Sequence, residues 1–331
     1  MTLSDKILKI KDELKDELCI LAHHYQNDEI VRYANFIGDS LELARKVPSL
    51  KAKYIVMCGV YFMAESTAIL ANESQQVFIP VEKAGCTLAD LAPAKLIEII
   101  LTKLNQKRKI IPIAYVNTSA KVKAICGEFG GSVCTSANSV TMLKWALENS
   151  DGVLFLPDRN LALNTAKALG IDDEEISYLD DDIFNKKYKL YVWPGYCDVH
   201  LNFRQGHIYH FKKRKPDAKI IVHPECTPEV VNEADAWGST SKIIKYVQNQ
   251  PKGSKIVIGT ELNLVNRLKK QHGDKEIFPL HTTCCKYMEM INESNLLSLL
   301  ESLDTYKQVK VDTKTKELAR VAISKMLDVC K

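Results

Sequence analysis

The sequence predicts an α/β protein of three similar α/β/α units, each with a parallel sheet, arranged with pseudo-threefold symmetry around a central active site. Three observations predict it. One order of motifs recurs three times, apolar strands alternate with helical stretches inside each copy, and each copy closes on a cysteine. The first copy opens on the strand Ile20-Leu21-Ala22 running into His23-His24-Tyr25. The second opens on Ile111 to Ala114 running into Tyr115-Val116-Asn117, and the third on Ile220-Ile221-Val222 running into His223-Pro224-Glu225.

A hydroxyl motif follows in each copy: Gly38-Asp39-Ser40, Cys134-Thr135-Ser136 and Gly238-Ser239-Thr240-Ser241. Next come a helix and another apolar strand, at Tyr54 to Met57, Gly152 to Leu156 and Lys255 to Ile258. After a further helix, a last strand leads to Cys86, to Cys197 and to the neighbours Cys284 and Cys285. The expected units are residues 1–85, 86–196 and 197–287. A tail, 288–331, is expected to pack back on the first unit as a helix, a short strand around Tyr306 to Val311 and a last helix. The opening segment reads as a charged amphipathic helix with Ser4 as its N-cap. The acidic runs Asp172 to Glu175 and Asp180 to Asp182 read as a solvated excursion of the second unit.

In parallel sheets functional groups gather beyond the carboxyl ends of the strands. Three related units would therefore bring three such edges, each with one cysteine, to a single centre, although the cysteines are about 90 to 110 residues apart in sequence. A lone intracellular cysteine is usually a small buried hydrophobe. Equivalent cysteines in three repeats read instead as metal ligands, and thiolates suit iron–sulfur clusters. Ser40, Ser136 and Thr240 read as N-caps, and helix starts with free N–H groups also favour anions. His200 lies one helical turn after Cys197, so both belong to the same end of a helix.

Bulk properties exclude several classes. A chain of 331 residues exceeds one ordinary core, and 46% hydrophobic with 26% charged residues is a globular composition. The net charge of +4 is spread along the chain, which suits anionic metabolites and gives no footprint for nucleic acid. No apolar run reaches the length of a membrane span, and the first residues lack the apolar core of a signal peptide, so the cytoplasm is the expected compartment. Ten cysteines contain no C-x-x-C pair, against zinc ribbons, ferredoxin-type runs and thioredoxin-like chemistry. A Gly-rich dinucleotide fingerprint is also missing.

Nine segments in order resemble the quinolinate synthase family of de novo NAD biosynthesis over nearly the whole chain. They are Ala22 to Gln26, Gly38 to Ser40, Ala84 to Asp90, Tyr115 to Ala120, Phe155-Leu156-Pro157-Asp158, Gly195 to His200, His223 to Cys226, Gly238 to Ser241 and Cys285 to Met288. Two local departures are Lys286 where the family often has proline, and additional residues near Glu128 to Gly131. The resemblance implies a 4Fe-4S cluster on Cys86, Cys197 and Cys285, with one open iron acting as a Lewis acid in dehydration. Cys285 is preferred to Cys284 because it stands three residues before Met288, as the family's ligand does. The implied reaction condenses iminoaspartate with dihydroxyacetone phosphate to quinolinate, releasing phosphate and water, with an aspartate oxidase or dehydrogenase as the supplier.

By the same resemblance His23, Ser40, Tyr115, Asn117, Ser136, His223, Glu225, Ser239 and Thr240 bind substrate. Glu225, Tyr25 and His200 are the catalytic candidates, Glu225 on the expectation that its pKa is raised towards neutrality. Cys226 and Cys134 read as packing residues near the site. The alternatives are an iron–sulfur electron-transfer or redox-sensing protein, which would need a fourth protein ligand, and a structural-zinc or metal-free repeat scaffold.

Overall fold

The computed structural model describes residues 1–179 and 183–331; Asp180, Asp181 and Asp182 of the acidic excursion lie outside the described residues. In the first unit β1 (Leu18–His23), β2 (Phe36–Gly38), β3 (Tyr54–Cys58) and β4 (Gln76–Phe78) form one sheet. In the second, β5 (Ile110–Tyr115), β6 (Ser132–Cys134), β7 (Gly152–Leu156), β8 (Ile176–Ser177) and β9 (Leu190–Val192) form another. The third holds β10 (Lys219–Val222), β11 (Ala236–Trp237), β12 (Lys255–Gly259) and β13 (Glu276–Pro279).

The strand orders are β2-β1-β3-β4, β6-β5-β7-β9-β8 and β11-β10-β12-β13, so one order recurs and the second sheet adds the edge strand β8. Each strand pairing is parallel. Helices cover both faces of such sheets, so central strands lose the usual polar alternation. Every residue of β1, β3, β5 and β7 is buried, and each fully buried Leu, Ile or Val contributes roughly 1.5–3 kcal/mol. Pro112 stands inside β5, where a missing N–H would break a central ladder. The β5–β6 pairing starts only at Ile113, so the gap falls where that side of β5 has no partner strand.

The helix after the third strand of each sheet reaches across to the next unit, and these links run in a cycle. From helix Tyr61–Leu70, Glu65 Oε2 accepts the Ala120 N–H at 3.0 Å, beside the second unit's polar loop. From helix Arg159–Ala168, Asn160 Nδ2 donates to Glu225 O at 3.2 Å, and Asn164 Nδ2 donates to Pro224 O at 2.8 Å in the third unit's loop. From helix Leu262–Gln271, Asn263 Nδ2 donates to Tyr25 O at 3.2 Å and Arg267 Nη1 to His24 O at 2.8 Å in the first unit's loop. First holds second, second holds third, third holds first.

Several local expectations are corrected. Thr2, not Ser4, caps helix Leu3–Leu14, through a capping box with Asp5. No strand forms at Tyr306 to Val311, where a single backbone bond joins Val309 N to Val77 O at 2.8 Å. The tail, expected on the first unit, divides. Helix Glu293–Leu300 packs on helix Leu3–Leu14, whereas helix Thr313–Val329 lies mainly against helix Ala120–Glu128 and β6 of the second unit. The close approach there depends on Gly127, because a Cβ at that position would sit 2.0 Å from the Leu318 carbonyl oxygen. Gly127→Ala must push the last helix outward, at a cost of about 1–3 kcal/mol, and thermal unfolding should show a clearly lower midpoint. Among the described residues no helix is long and apolar enough to cross a membrane.

Candidate active site

The carboxyl ends of the three sheets open onto one cavity. It is lined by His23, Tyr25 and Ser40 of the first unit, Tyr115, Asn117 and Ser136 of the second, and His200, His223, Glu225 and Thr240 further along, together with Cys86, Cys197 and Cys285. Of the expected site residues only Ser239 stays off the lining. It is buried behind Thr240 and caps helix Thr240–Asn249 by accepting the Lys242 N–H at 3.3 Å. The hydroxyl motifs are thus offset by one or more residues from the expected caps. Asp39 caps the helix that Ser40 starts, and Asn138 precedes the helix that follows Ser136. Asp39 also accepts from the Ser241 hydroxyl, tying the first hydroxyl motif to the third.

The three cysteines occupy one repeated backbone setting. The first residue of the helix after each third strand donates its N–H to the carbonyl two residues before a cysteine: Tyr61 to Ala84 O at 2.7 Å, Arg159 to Gly195 O at 2.8 Å, and Leu262 to Thr283 O at 3.1 Å. Counting two residues on gives Cys86, Cys197 and Cys285. Cys284 falls out of this register and does not line the cavity. Burial pushes the thiols up, Cys86 to about 12, Cys285 to about 11 and Cys197 well above its ordinary value. Nearby backbone N–H groups oppose this in every case: Ala89 and Leu88 at Cys86, His200 at Cys197, Met288 and Tyr287 at Cys285. Each sulfur therefore sits where N–H groups favour a thiolate but burial forbids one without a bound cation.

Cys226 and Cys134 are fully buried away from the lining. One compact group, the Cys197 sulfur, His200 and Glu225, has its ligand atoms within 4.8 Å of one another and suits a single metal ion. Among the described residues no other such trio occurs, so the three cysteine sulfurs are spread too widely to share one ion. A cluster in which each sulfur takes a different iron fits that spread and the soft donor set.

A hydrogen-bonded chain runs from the cavity to the buried carboxylate of Glu225. Thr240 Oγ1 donates to Tyr25 Oη at 3.1 Å, Tyr25 Oη lies 2.8 Å from Thr260 Oγ1, and Thr260 Oγ1 lies 3.0 Å from His200 Nε2. His200 Nδ1 is 3.0 Å from Glu225 Oε2, and His223 Nδ1 is 3.1 Å from the same oxygen, with the two imidazoles stacked 4.3 Å apart. An ionised carboxylate only accepts, so His200 Nδ1 carries the proton. In the neutral ring Nε2 then accepts from Thr260, which accepts from Tyr25, which accepts from Thr240. Every hydroxyl donates once, and the chain has one direction. Thr260 is invisible to sequence reasoning as a lone threonine; its signal is its place directly after β12.

Burial pushes the Glu225 carboxyl up, but the imidazoles of His200 and His223 outweigh it and hold the group well below the usual carboxylate range. The expected rise towards neutrality is therefore not found, since the neighbours are cationic or proton-donating. Burial keeps His23 neutral, down to about 3, and raises the Tyr25 and Tyr115 phenols well above their ordinary value. Glu225 Oε1 and Asn117 Oδ1 are buried without any partner in the protein, an unusual state for an acceptor and one that a ligand donor would relieve.

Comparison with known proteins agrees with this geometry. The family model for the quinolinate synthetase A protein matches residues 5–328. A quinolinate synthase of Anoxybacillus flavithermus is 43% identical over 337 residues, covering 97% of this chain and 92% of that protein. One of Halalkalibacterium halodurans is 41% identical over 342 residues, covering 98% and 93%. One of a Geobacillus species is 41% identical over 339 residues, covering 97% and 92%. A match of this extent, on a chain whose three units bring one cysteine each to a common cavity, leaves a single conclusion: the chain belongs to the quinolinate synthase family.

Proposed function

We propose that this enzyme of NAD biosynthesis condenses iminoaspartate with dihydroxyacetone phosphate to give quinolinate, phosphate and two waters, with Cys86, Cys197 and Cys285 holding a 4Fe-4S cluster. The observation that carries the proposal is the meeting of three equivalent cysteines with the Tyr25–Thr260–His200–Glu225 chain in one cavity. When bound on three thiolates, the cluster keeps one iron free of protein ligands, which supplies Lewis acidity towards a substrate oxygen.

The remaining work falls to the chain's own side chains. Ser40, Ser136 and Thr240 stand at the cavity near helix starts, where oriented N–H groups favour carboxylate and phosphate. Asn117 Oδ1 and Glu225 Oε1 are left to accept from the imine or hydroxyl hydrogens of the substrate. Neutral His23 offers a ring nitrogen without adding charge. Enamine formation, ring closure and two dehydrations all need protons moved over short distances. Tyr25 Oη can give or take a proton at the cavity while Thr260 and His200 Nε2 pass the charge inward, and Glu225 holds His200 Nδ1–H throughout. Two carboxylates and a phosphate enter together, so positioning contributes as much as proton transfer. The iminoaspartate is supplied by an oxidation of aspartate.

An electron carrier would close its cluster with a fourth protein ligand and would have no use for the two orphaned acceptors. The deciding assay is anaerobic: iron- and sulfide-loaded protein with both substrates should form quinolinate and phosphate in equal amounts. Loaded protein that makes neither sinks the proposal.

A further inference from the structure

The residue just before the helix after each third strand is Val60 in the first unit, Asp158 in the second and Glu261 in the third. Both acids are fully buried, and each caps its helix. Asp158 Oδ1 accepts the Leu161 N–H at 2.7 Å, and Glu261 Oε2 accepts the Asn263 N–H at 2.8 Å. Each carboxyl has a second task. Asp158 Oδ2 accepts the backbone N–H of Cys197 at 3.2 Å, and the N–H of Cys285 faces the Glu261 carboxyl. Val60 has no acceptor to offer, so Cys86 lacks this tie.

We infer that Asp158 and Glu261 are positioning residues for the sulfur ligands: each joins a helix start to its own unit's cysteine and so fixes Cys197 and Cys285 before metal arrives, leaving Cys86 as the looser third ligand. Outer partners of this kind orient ligands and strengthen metal retention. A carboxyl keeps an acceptor oxygen whether or not it is protonated, so the role does not depend on its charge. This inference rests on the three cysteines being cluster ligands.

The two tasks of Asp158 can be separated. Asp158→Asn keeps two polar ends, one for the helix and one carbonyl-type oxygen for an N–H. Asp158→Ser keeps a good N-cap but has a single short oxygen that cannot reach both. Anaerobically loaded protein is challenged with an iron chelator while cluster absorbance and sulfide are followed, and the melting temperature of each metal-free form is measured beside it. Asp158→Ser should release iron about tenfold faster than the unmodified protein, within the range for outer partners of metal ligands. Its metal-free form should melt close to the parent, and Asp158→Asn should recover most of the retention. Glu261→Ser against Glu261→Gln should show the same order with a smaller gap.

A serine variant that keeps its iron, one that loses it only in step with a lowered melting temperature, or an Asn variant as leaky as Ser overturns the inference. Failure of the unmodified protein to load iron and sulfide would instead overturn the ligand assignment beneath it.

Discussion

Glu225→Gln should lower kcat by about 10²–10⁴-fold, the span typical of a positioned acid–base group. Its carboxylate receives His200 Nδ1–H and His223 Nδ1–H on one oxygen. A glutamine can offer one neutral oxygen but turns an N–H₂ group towards the cavity, where Oε1 now waits unpartnered. The directed chain through Thr260 to Tyr25 then loses its charged anchor, so turnover should fall far more than substrate binding. Steady-state kinetics on loaded protein measures this split. The pH dependence has a definite sign. A carboxyl with a folded pKa below its unfolded value contributes stability above the unfolded value, about 4.3 for Glu. That stability is lost only as pH falls through the lower folded value. The acidic limb of kcat/KM therefore belongs to another group, and it should survive in Glu225→Gln at the reduced rate. A limb that vanishes with the substitution would assign it to Glu225 and contradict the account.

Cys86→Ser, Cys197→Ser and Cys285→Ser should each lose the full complement of iron and sulfide and reduce quinolinate formation to background, whereas Cys284→Ser should keep both. Serine is nearly isosteric but a harder and less acidic donor, so the difference isolates the sulfur. The Cys284 comparison is the sharper half. Adjacent cysteines differ little in composition or exposure, but only Cys285 lies two residues beyond the carbonyl bonded to the third-unit helix start. Iron and acid-labile sulfide determinations on anaerobically purified variants decide it, and loss of iron in Cys284→Ser alone would show that the backbone register misassigns the ligand.

The fold was legible because buried parallel strands write themselves as unbroken apolar runs, as Ile20-Leu21-Ala22 and Ile110 to Tyr115 do, and because the motif order repeats. Side-chain placement was less so. Ser40 and Thr240 were expected as caps, but Asp39 and Ser239 beside them are equally good cap residues, and only the backbone decides which one faces the N–H groups. Tyr306 to Val311 has the residue types of a strand, yet it meets β4 through a single bond. The last helix is amphipathic, and amphipathicity does not say which neighbour receives its apolar face. Thr260, Asp158 and Glu261 act through contacts that exist only after the strand ends are brought together, so no local pattern marks them.

The central claim is that three distant sulfurs hold one cluster whose fourth iron is left to the substrate. Mössbauer spectroscopy of the anaerobically loaded protein, with and without a substrate analogue, tests it most directly. The account predicts a four-iron cluster in which one iron is distinct and changes its signal when the analogue binds. Four irons that stay alike and unmoved by the analogue, or a lone ion held by Cys197, His200 and Glu225, would contradict it.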